Sequence, residues 1–204
     1  MNKNILLIQG HPDLSQHHFC HALEKAYAEG AMATGHKVQH VNVAALDFPI
    51  LRSQQEWEYG TLSMGLGRAQ AAIRWASHIV LLFPLWLGDM PALLKGFLEQ
   101  VARPGFAFSI EAGNPFAHKG LVGRSARVVV TMGMPASRYR WYFRAHSVRS
   151  LERNILGFFG IAPVNETLIG MTGKLDLVHA GKWLEQLREL GGVANDDERM
   201  NEVA

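Results

Sequence analysis

The run Ile79-Val80-Leu81-Leu82-Phe83 has no polar residue in it. A strand with one wet face alternates apolar and polar side chains. An unbroken apolar run must be covered on both faces, as in a parallel sheet packed between helices. Residues 4–8 and 126–132 read as strands of the same kind, and 37–43 and 166–170 complete a set of five. Between them lie segments with helical period. Residues 16–34 place Phe19, Leu23, Ala26 and Tyr27 on one face and stop at Gly35. Residues 66–76 and 91–101 follow, the latter opened by a first-turn proline. Residues 145–159 carry a stripe of Val148, Leu151, Ile155 and Leu156 and break at Gly160-Ile161-Ala162-Pro163, and 177–190 form the last helix. Segments 45–63 and 103–123 have no clear period and read as loops. Strictly alternating strands and helices predict an α/β fold, a doubly wound five-stranded parallel sheet in order 2-1-3-4-5. Residues 1–191 form one domain on this reading, and 192–204 a polar C-terminal tail.

Composition removes several functions. A net charge of +2, with the ten histidines neutral, is too small for a nucleic-acid footprint or an anionic membrane surface. The single cysteine allows no internal disulfide, and no Cys/His spacing resembles a zinc site, so no metal is expected. The first apolar run is Ile5-Leu6-Leu7-Ile8, short of the roughly 7–15 residues of a secretory core. Nothing approaches the ~20 apolar residues of a membrane span. A cytoplasmic protein with no direct membrane insertion is expected.

In a doubly wound sheet, ligands sit outside the carboxyl ends of the strands. Three segments lie there. The first is Gln9-Gly10-His11-Pro12-Asp13-Leu14-Ser15-Gln16-His17-His18-Phe19-Cys20. It joins a strand to a helix, where free N–H groups and the helix dipole bind phosphate. It is neither a GxGxxG nor a GxxxxGKS loop. Ser15, His17 and His18 either complete an anion cradle or serve as a cap and exposed polar residues. The second is Phe83-Pro84-Leu85-Trp86-Leu87-Gly88-Asp89-Met90-Pro91-Ala92. Its apolar side chains either carry a flat aromatic ligand or close the core or a subunit interface; Pro84, Gly88 and Pro91, which fix the loop, favour the ligand. The third is Thr131-Met132-Gly133-Met134-Pro135-Ala136-Ser137-Arg138-Tyr139. Gly133 permits close backbone approach. Read alone, the segment is a turn and an ordinary helix start.

With these residues in view, the chain resembles the NAD(P)H:quinone oxidoreductases of the flavodoxin-like proteins. That family includes modulators of drug activity and ancillary subunits of potassium-efflux systems. The segment from Phe83 to Phe97, with Lys95-Gly96-Phe97 at its end, is similar to the family's Pro-Leu-x-Trp…Gly-x-Pro-Ala-x-Leu-Lys-Gly signature. Gly10-His11-Pro12, followed by Phe19, Ala22 and Leu23, resembles its phosphate loop. His18-Phe19-Cys20 stands where the family usually has Ser-Phe-Asn, in a loop about two residues longer.

The resemblance implies a bound flavin, FMN or FAD, with NADPH or NADH as co-substrate and a quinone-like acceptor reduced in ping-pong turnover. Its phosphate would sit on His11, His18, Phe19 and Cys20. Its ring would lie against Pro84, Leu85, Trp86, Leu87 and Gly88 on one side and Thr131, Met132, Gly133 and Met134 on the other. Tyr139 matches a family tyrosine at the pyrimidine edge of the ring, and His146 a family histidine, one residue out of register. Both are expected to face the ring as catalytic donors, so the chain must turn between them and a helix begin near Ala145. The family also implies a homodimer, which the aromatic residues Trp57, Trp86, Phe106, Phe108 and Phe116 support if their segments are exposed loops. An alternative is a flavin-containing regulatory subunit of a potassium-efflux-type transporter. Arg138, Arg140, Arg144, Arg149 and Arg153 either meet an NADPH phosphate or form a solvated helix face. Cys20 reads as a small buried helix residue or a thiol activated by a helix N-terminus.

Overall fold

The computed structural model describes residues 2–111 and 114–194, with side chains at 109–118 outside that description. Five parallel strands form the sheet: β1 (Asn4–Gln9), β2 (Lys37–Asn42), β3 (His78–Pro84), β6 (Ser125–Thr131) and β7 (Val164–Ile169). Their order is β2-β1-β3-β6-β7, which is the expected 2-1-3-4-5 winding. All seven positions of β3 are buried, as its apolar run requires. Register is continuous across the centre: Leu6 lies opposite Ile79, and Leu81 opposite Val128.

Side chains alternate across the sheet. Leu6, Ile8, Ile79, Leu81, Phe83, Val128 and Val130 face α3 (Met64–Trp75) and α4 (Ala92–Val101), which supply Leu66, Ile73, Leu94, Phe97 and Leu98. Ile5, Leu7, Val80, Leu82, Val129 and Ile169 face α1 (Phe19–Ala33) and α8 (Leu177–Val193), with Leu23, Tyr27, Leu187 and Leu190. Burying each large side chain contributes about 1.5–3 kcal/mol. On this second face the helices approach backbone to backbone. A Cβ on Gly30 would lie 1.8 Å from the Arg188 carbonyl oxygen, and one on Gly191 2.1 Å from that of Tyr27. This face also buries polar groups. The Tyr27 hydroxyl is 3.2 Å from His78 Nε2, His78 Nδ1 is 2.8 Å from Ser125 Oγ, and Arg127 Nη1 donates to Thr167 Oγ1 over 3.0 Å.

Several expectations need correction. Segment 45–63 contains a short helix, α2 (Gln54–Tyr59), too short to show a period and capped by Ser53, whose Oγ accepts from Glu56 N. Segment 103–123 contains an antiparallel hairpin, β4 (Phe108–Glu111) and β5 (Asn114–Lys119). Phe106 and Phe108 are therefore core residues, Trp57 packs 5.6 Å from the Phe108 ring, and the Phe116 side chain lies outside the described residues. Of those five aromatics Trp86 alone is half exposed among the described residues. The helix over 145–159 is broken into α6 (His146–Ser150), a π turn (Leu151–Leu156) and α7 (Gly157–Phe159). A short α5 (Ala136–Trp141) precedes it. The last helix reaches Val193; residues 195–204 of the tail lie outside the described residues. No described helix is long and apolar enough to cross a membrane.

Candidate functional site

The carboxyl ends of β1, β3 and β6 meet at the point where the winding reverses. Gln9, the last residue of β1, fastens the first loop. Its Oε1 accepts from His11 N at 3.1 Å and from the Cys20 thiol at 3.3 Å, and its Nε2 donates to Cys20 O and Glu24 Oε2. Asp13 holds the loop's outer turn: Oδ1 accepts from Ser15 N at 2.7 Å, and Oδ2 lies 2.7 Å from His18 Nε2. Its bonds to Ser15 first, then His18, hold the carboxyl well below the usual carboxylate range. These local bonds explain why α1 starts at Phe19 and not at residue 16.

Three imidazoles gather at the start of α1. The His11 ring stacks on His18 at 3.8 Å and lies 5.3 Å from His21. His18 N donates to His21 Nδ1, and His21 Nε2 is buried with no partner. Burial, then the neighbouring imidazoles, lower the His11 pKa; burial is also the main cause of the lowering at His21, with Glu24 opposing it. The first turn of α1 contains no acid; His18 and His21 cap it, His18 N donating to His21 Nδ1 and His21 N to His18 O, which leaves Phe19 and Cys20 to present the orphan N–H groups of a helix start. Cys20 is buried, and burial pushes its thiol pKa up strongly, which makes it a packing residue.

The second loop stands against the first. Trp86 and Asp89 exchange both backbone bonds, at 2.8 and 2.9 Å, around Leu87 and Gly88, whose φ values are 50° and 83°. Two successive positive φ values make a tight hairpin turn, the geometry that asks for Gly at its second position. Leu87 has no such freedom; holding it there costs about 1–2 kcal/mol. It is fully exposed, and Trp86 stands edge-on to His11 at 6.1 Å. Leu85 N donates to Thr131 O at 2.7 Å and so ties this loop to the third.

In the third loop, Thr131 and Met132 are buried, and the backbone is laced to the end of β7: Met132 N donates to Ile169 O, Thr172 N to Met132 O, and Met171 N to Met134 O. Gly133 is the exception, since a Cβ there would find nothing within 4 Å. At Gly10, by contrast, it would meet Leu94 Cδ2 at 2.7 Å. Open space lies beside Gly133, with backbone behind it.

The chain does turn between Tyr139 and His146. Arg144 and Ala145 adopt φ of 53° and 46°, and α6 starts at His146. The two side chains then part. Tyr139 is fully buried, its hydroxyl 2.5 Å from Ser147 Oγ and accepting from Val148 N at 3.3 Å. His146 is exposed, with Nδ1 3.1 Å from Phe143 O. The expectation that both face one cleft is not met by this geometry: the phenol is spent inside the core. Of the five arginines, Arg140 pairs with Glu166 at 2.9 Å. Sequence reading missed Gln9, Asp13, His21 and Ser147. His21 lies one helical turn beyond His18, the spacing that would have flagged it.

A helix N-terminus and two backbone-presenting loops at the switch point of a 2-1-3-4-5 sheet define a flavodoxin-like α/β protein. The chain belongs to the family described as having the flavodoxin-like fold, whose profile matches residues 3–189. It is 26% identical over 171 residues, 82% of its length and 83% of the relative's, to an uncharacterised NAD(P)H oxidoreductase of Haemophilus influenzae. It is 27% identical over 154 residues to a ribosyldihydronicotinamide dehydrogenase-like protein of Penicillium crustosum, covering 63% of this chain and 57% of that one. A match of 39% over 83 residues joins it to an ancillary protein of the glutathione-regulated potassium-efflux system of Escherichia coli, and spans 41% and 42% of the two chains. It thus spans little more than half, or less, of some curated relatives. Among solved structures, an NAD(P)H:quinone oxidoreductase from Methanothermobacter marburgensis superposes with a TM-score of 0.79 at 22% identity, over 95% of this chain and 98% of that one. An FMN-dependent NADH-azoreductase from Bacillus anthracis, in complex with FMN, gives 0.69 at 18% identity, over 94% and 100%.

Proposed function

We propose that the chain is an NAD(P)H dehydrogenase (quinone) that binds FMN or FAD and passes two electrons from NADPH or NADH to a quinone-like acceptor, in ping-pong turnover. One observation carries this reading. The start of α1 has free N–H capacity and three imidazoles, one with an unpartnered buried nitrogen, beside an exposed apolar hairpin and the open side of Gly133. An anionic group fits the first, and a planar ring fits the second.

The bound flavin would supply the two-electron carrier. His11, His18, Phe19 and Cys20 would hold its phosphate through the α1 N-terminus. Pro84, Leu85, Trp86, Leu87 and Gly88 would bear one side of the ring, and Thr131, Met132, Gly133 and Met134 the other. His146, with its Nε2 unengaged among the described residues, is the donor assigned to the ring's pyrimidine edge. Tyr139 acts through Ser147 and Val148 N, which fix the start of α6, and is a positioning residue on this reading. A homodimer is part of the proposal. An apolar groove of about 570 Å³, with Trp57, Leu98, Phe108 and Phe158 in its lining, is the surface a second copy would cover. The partial likeness to the potassium-efflux ancillary protein supports family membership more than a transporter partner.

The test is reconstitution. Protein mixed with excess FMN or FAD and desalted should keep a bound flavin absorbance near stoichiometry, and mass analysis of the released compound identifies which. NADPH or NADH should then bleach the bound flavin stoichiometrically, and a quinone such as menadione should restore its absorbance and sustain catalytic NADPH or NADH oxidation. A folded protein that retains neither flavin overturns the proposal.

A further inference from the structure

A second cavity, of about 600 Å³, opens at the outer edge of the sheet between β7, α5 and α8. It uses none of the residues assigned above to the flavin. Its volume falls in the range of small-ligand sites, roughly 300–1,000 Å³. Arg127 is one of its lining residues. This arginine sits on β6, just before Val128, Val129 and Val130, and is about nine-tenths buried against the α1–α8 face. A guanidinium has five N–H donors and stays charged. Here one donor goes to Thr167 Oγ1 at 3.0 Å, and the Tyr27 hydroxyl is a second, neutral hydrogen-bond partner. Burial lowers the guanidinium's pKa, and the Tyr27 hydroxyl beside it opposes the shift. No carboxylate among the described residues pairs with Arg127, and none lines the cavity. Arg140 at the rim is already engaged by Glu166.

A buried charge without a counterion is costly, because the solvation it gives up is not replaced. The rest of the lining supplies neutral acceptors and no anion. Trp141, Trp183, Leu168 and Leu190 present hydrocarbon and aromatic surface, and Ser137 and Gln186 are neutral. A cation in a cavity lined by aromatic, aliphatic and neutral polar groups and no acid lacks an anion, and arginine's planar fork binds a carboxylate or phosphate through two donors at once.

We propose that this cavity is a second ligand site, which takes a small aromatic anion with its oxyanion on Arg127 and its ring against Trp141 and Trp183. The inference does not rest on the flavin reading, since no residue is shared. The wall of the cavity does reach the third loop: Met171 lines it, and Met171 N donates to Met134 O. A ligand here therefore rests against the back of the segment whose front faces the switch point.

Calorimetric titration of the full chain with phenylacetate tests the proposal against phenylacetamide, which has the same ring and no charge, and against inorganic phosphate, which has the charge and no ring. The acid should bind saturably at one site and the amide at least about tenfold more weakly, as expected for loss of a charge-assisted bond. Phosphate should also bind more weakly than phenylacetate. Arg127→Met should abolish the phenylacetate signal and leave flavin retention unchanged. Should that variant fail to fold, Trp141→Ala, an exposed substitution, should weaken phenylacetate severalfold in a folded chain. No saturable phenylacetate binding, equal affinity for acid and amide, phosphate binding as tightly as phenylacetate, or phenylacetate binding untouched by the Arg127 or Trp141 change would each overturn it.

Discussion

The two faces of the sheet are insulated by different means. Beneath α3 and α4 the packing is almost wholly side-chain volume: Leu66, Ile73, Leu94, Phe97 and Leu98 fill the space above Leu6, Ile79, Leu81 and Val128. Beneath α1 and α8 the helices meet through Gly30 and Gly191, and the strands carry Gln9, His78 and Arg127 as well as apolar residues. The first face sets hydrocarbon against the strands at its centre, and its buried polar side chains pair among themselves, Arg103 with Gln100 and Tyr139 with Ser147. The second buys close backbone approach with glycine and keeps a row of polar side chains that must each find a partner. The candidate phosphate site stands at the start of α1, so the helix that presents it is held by backbone fit more than by bulk.

That contrast can be broken by substitution. Phe97→Ala should give the largest loss, about 3–5 kcal/mol in urea unfolding, since it empties a closed apolar region. A smaller loss would mean that α4 collapses onto β3 and that the first face is looser than described. Gly30→Ala is expected to cost roughly 1–3 kcal/mol, although it adds only a methyl group, because that methyl meets the Arg188 carbonyl. Gly133→Ala supplies the control: with open space around it, stability should change by less than about 0.5 kcal/mol while flavin retention weakens. Equal stability losses in the two glycine variants would erase the distinction between a packed glycine and an open one.

Tyr139→Phe comes next. It leaves Ser147 Oγ and Val148 N without their shared partner in a buried place, at a cost of about 1–2 kcal/mol. On the positioning role proposed for Tyr139, KM and flavin affinity should shift with stability, whereas His146→Gln should lower the rate of flavin reduction by NADPH about tenfold in stopped flow and leave stability alone. A Tyr139→Phe variant of unchanged stability, reduced only in rate, would restore the phenol to the chemistry. The smallest effect is one of pH. His11 and His21 have folded-state pKa values below the ordinary 6.5, so the unfolded chain binds more protons in that window. Their contribution is complete above about pH 6.5 and is lost as pH falls toward the folded values. Thermal melts of the flavin-free protein should drop between pH 7.5 and 5.5, and His21→Gln should flatten the slope.

The sheet was legible because covered strands leave an unmistakable run, and β3 is buried at every position of it. Sheet order followed from the alternation with helices. The hairpin at 108–119 was not legible, because its pairing joins short strands in a stretch whose Gly and Pro read as loop. The loops of the candidate site could be located, since they lie where the topology puts ligands, but their internal bonds could not. Gln9 reads as the end of a strand, and its grip on Cys20 and Glu24 exists only once α1 has folded back. Tyr139 looked like an exposed donor because nothing in its surroundings marks the reversal at Arg144 and Ala145: neither is glycine, yet both adopt positive φ. Ser147, eight residues on, is brought to the phenol by that reversal. Arg127 passed as part of an apolar strand, and its partner Thr167 is 40 positions away.

The π turn at Leu151–Leu156 acts as a phase shifter. It holds one residue more per turn than an α-helix, so Leu151 and Leu156 are both buried at a spacing of five while Ile155 is only partly so. Side chains before and after it are out of step by one position, about 100° of rotation. Counting forward from Tyr139 and counting back from Gly160 therefore index this stretch differently. A relative whose helix is unbroken here would reach Gly160 with one residue fewer. Residue roles carried between such chains by spacing alone will slip by one somewhere in 145–160, and each has to be counted from the anchor on its own side of the turn.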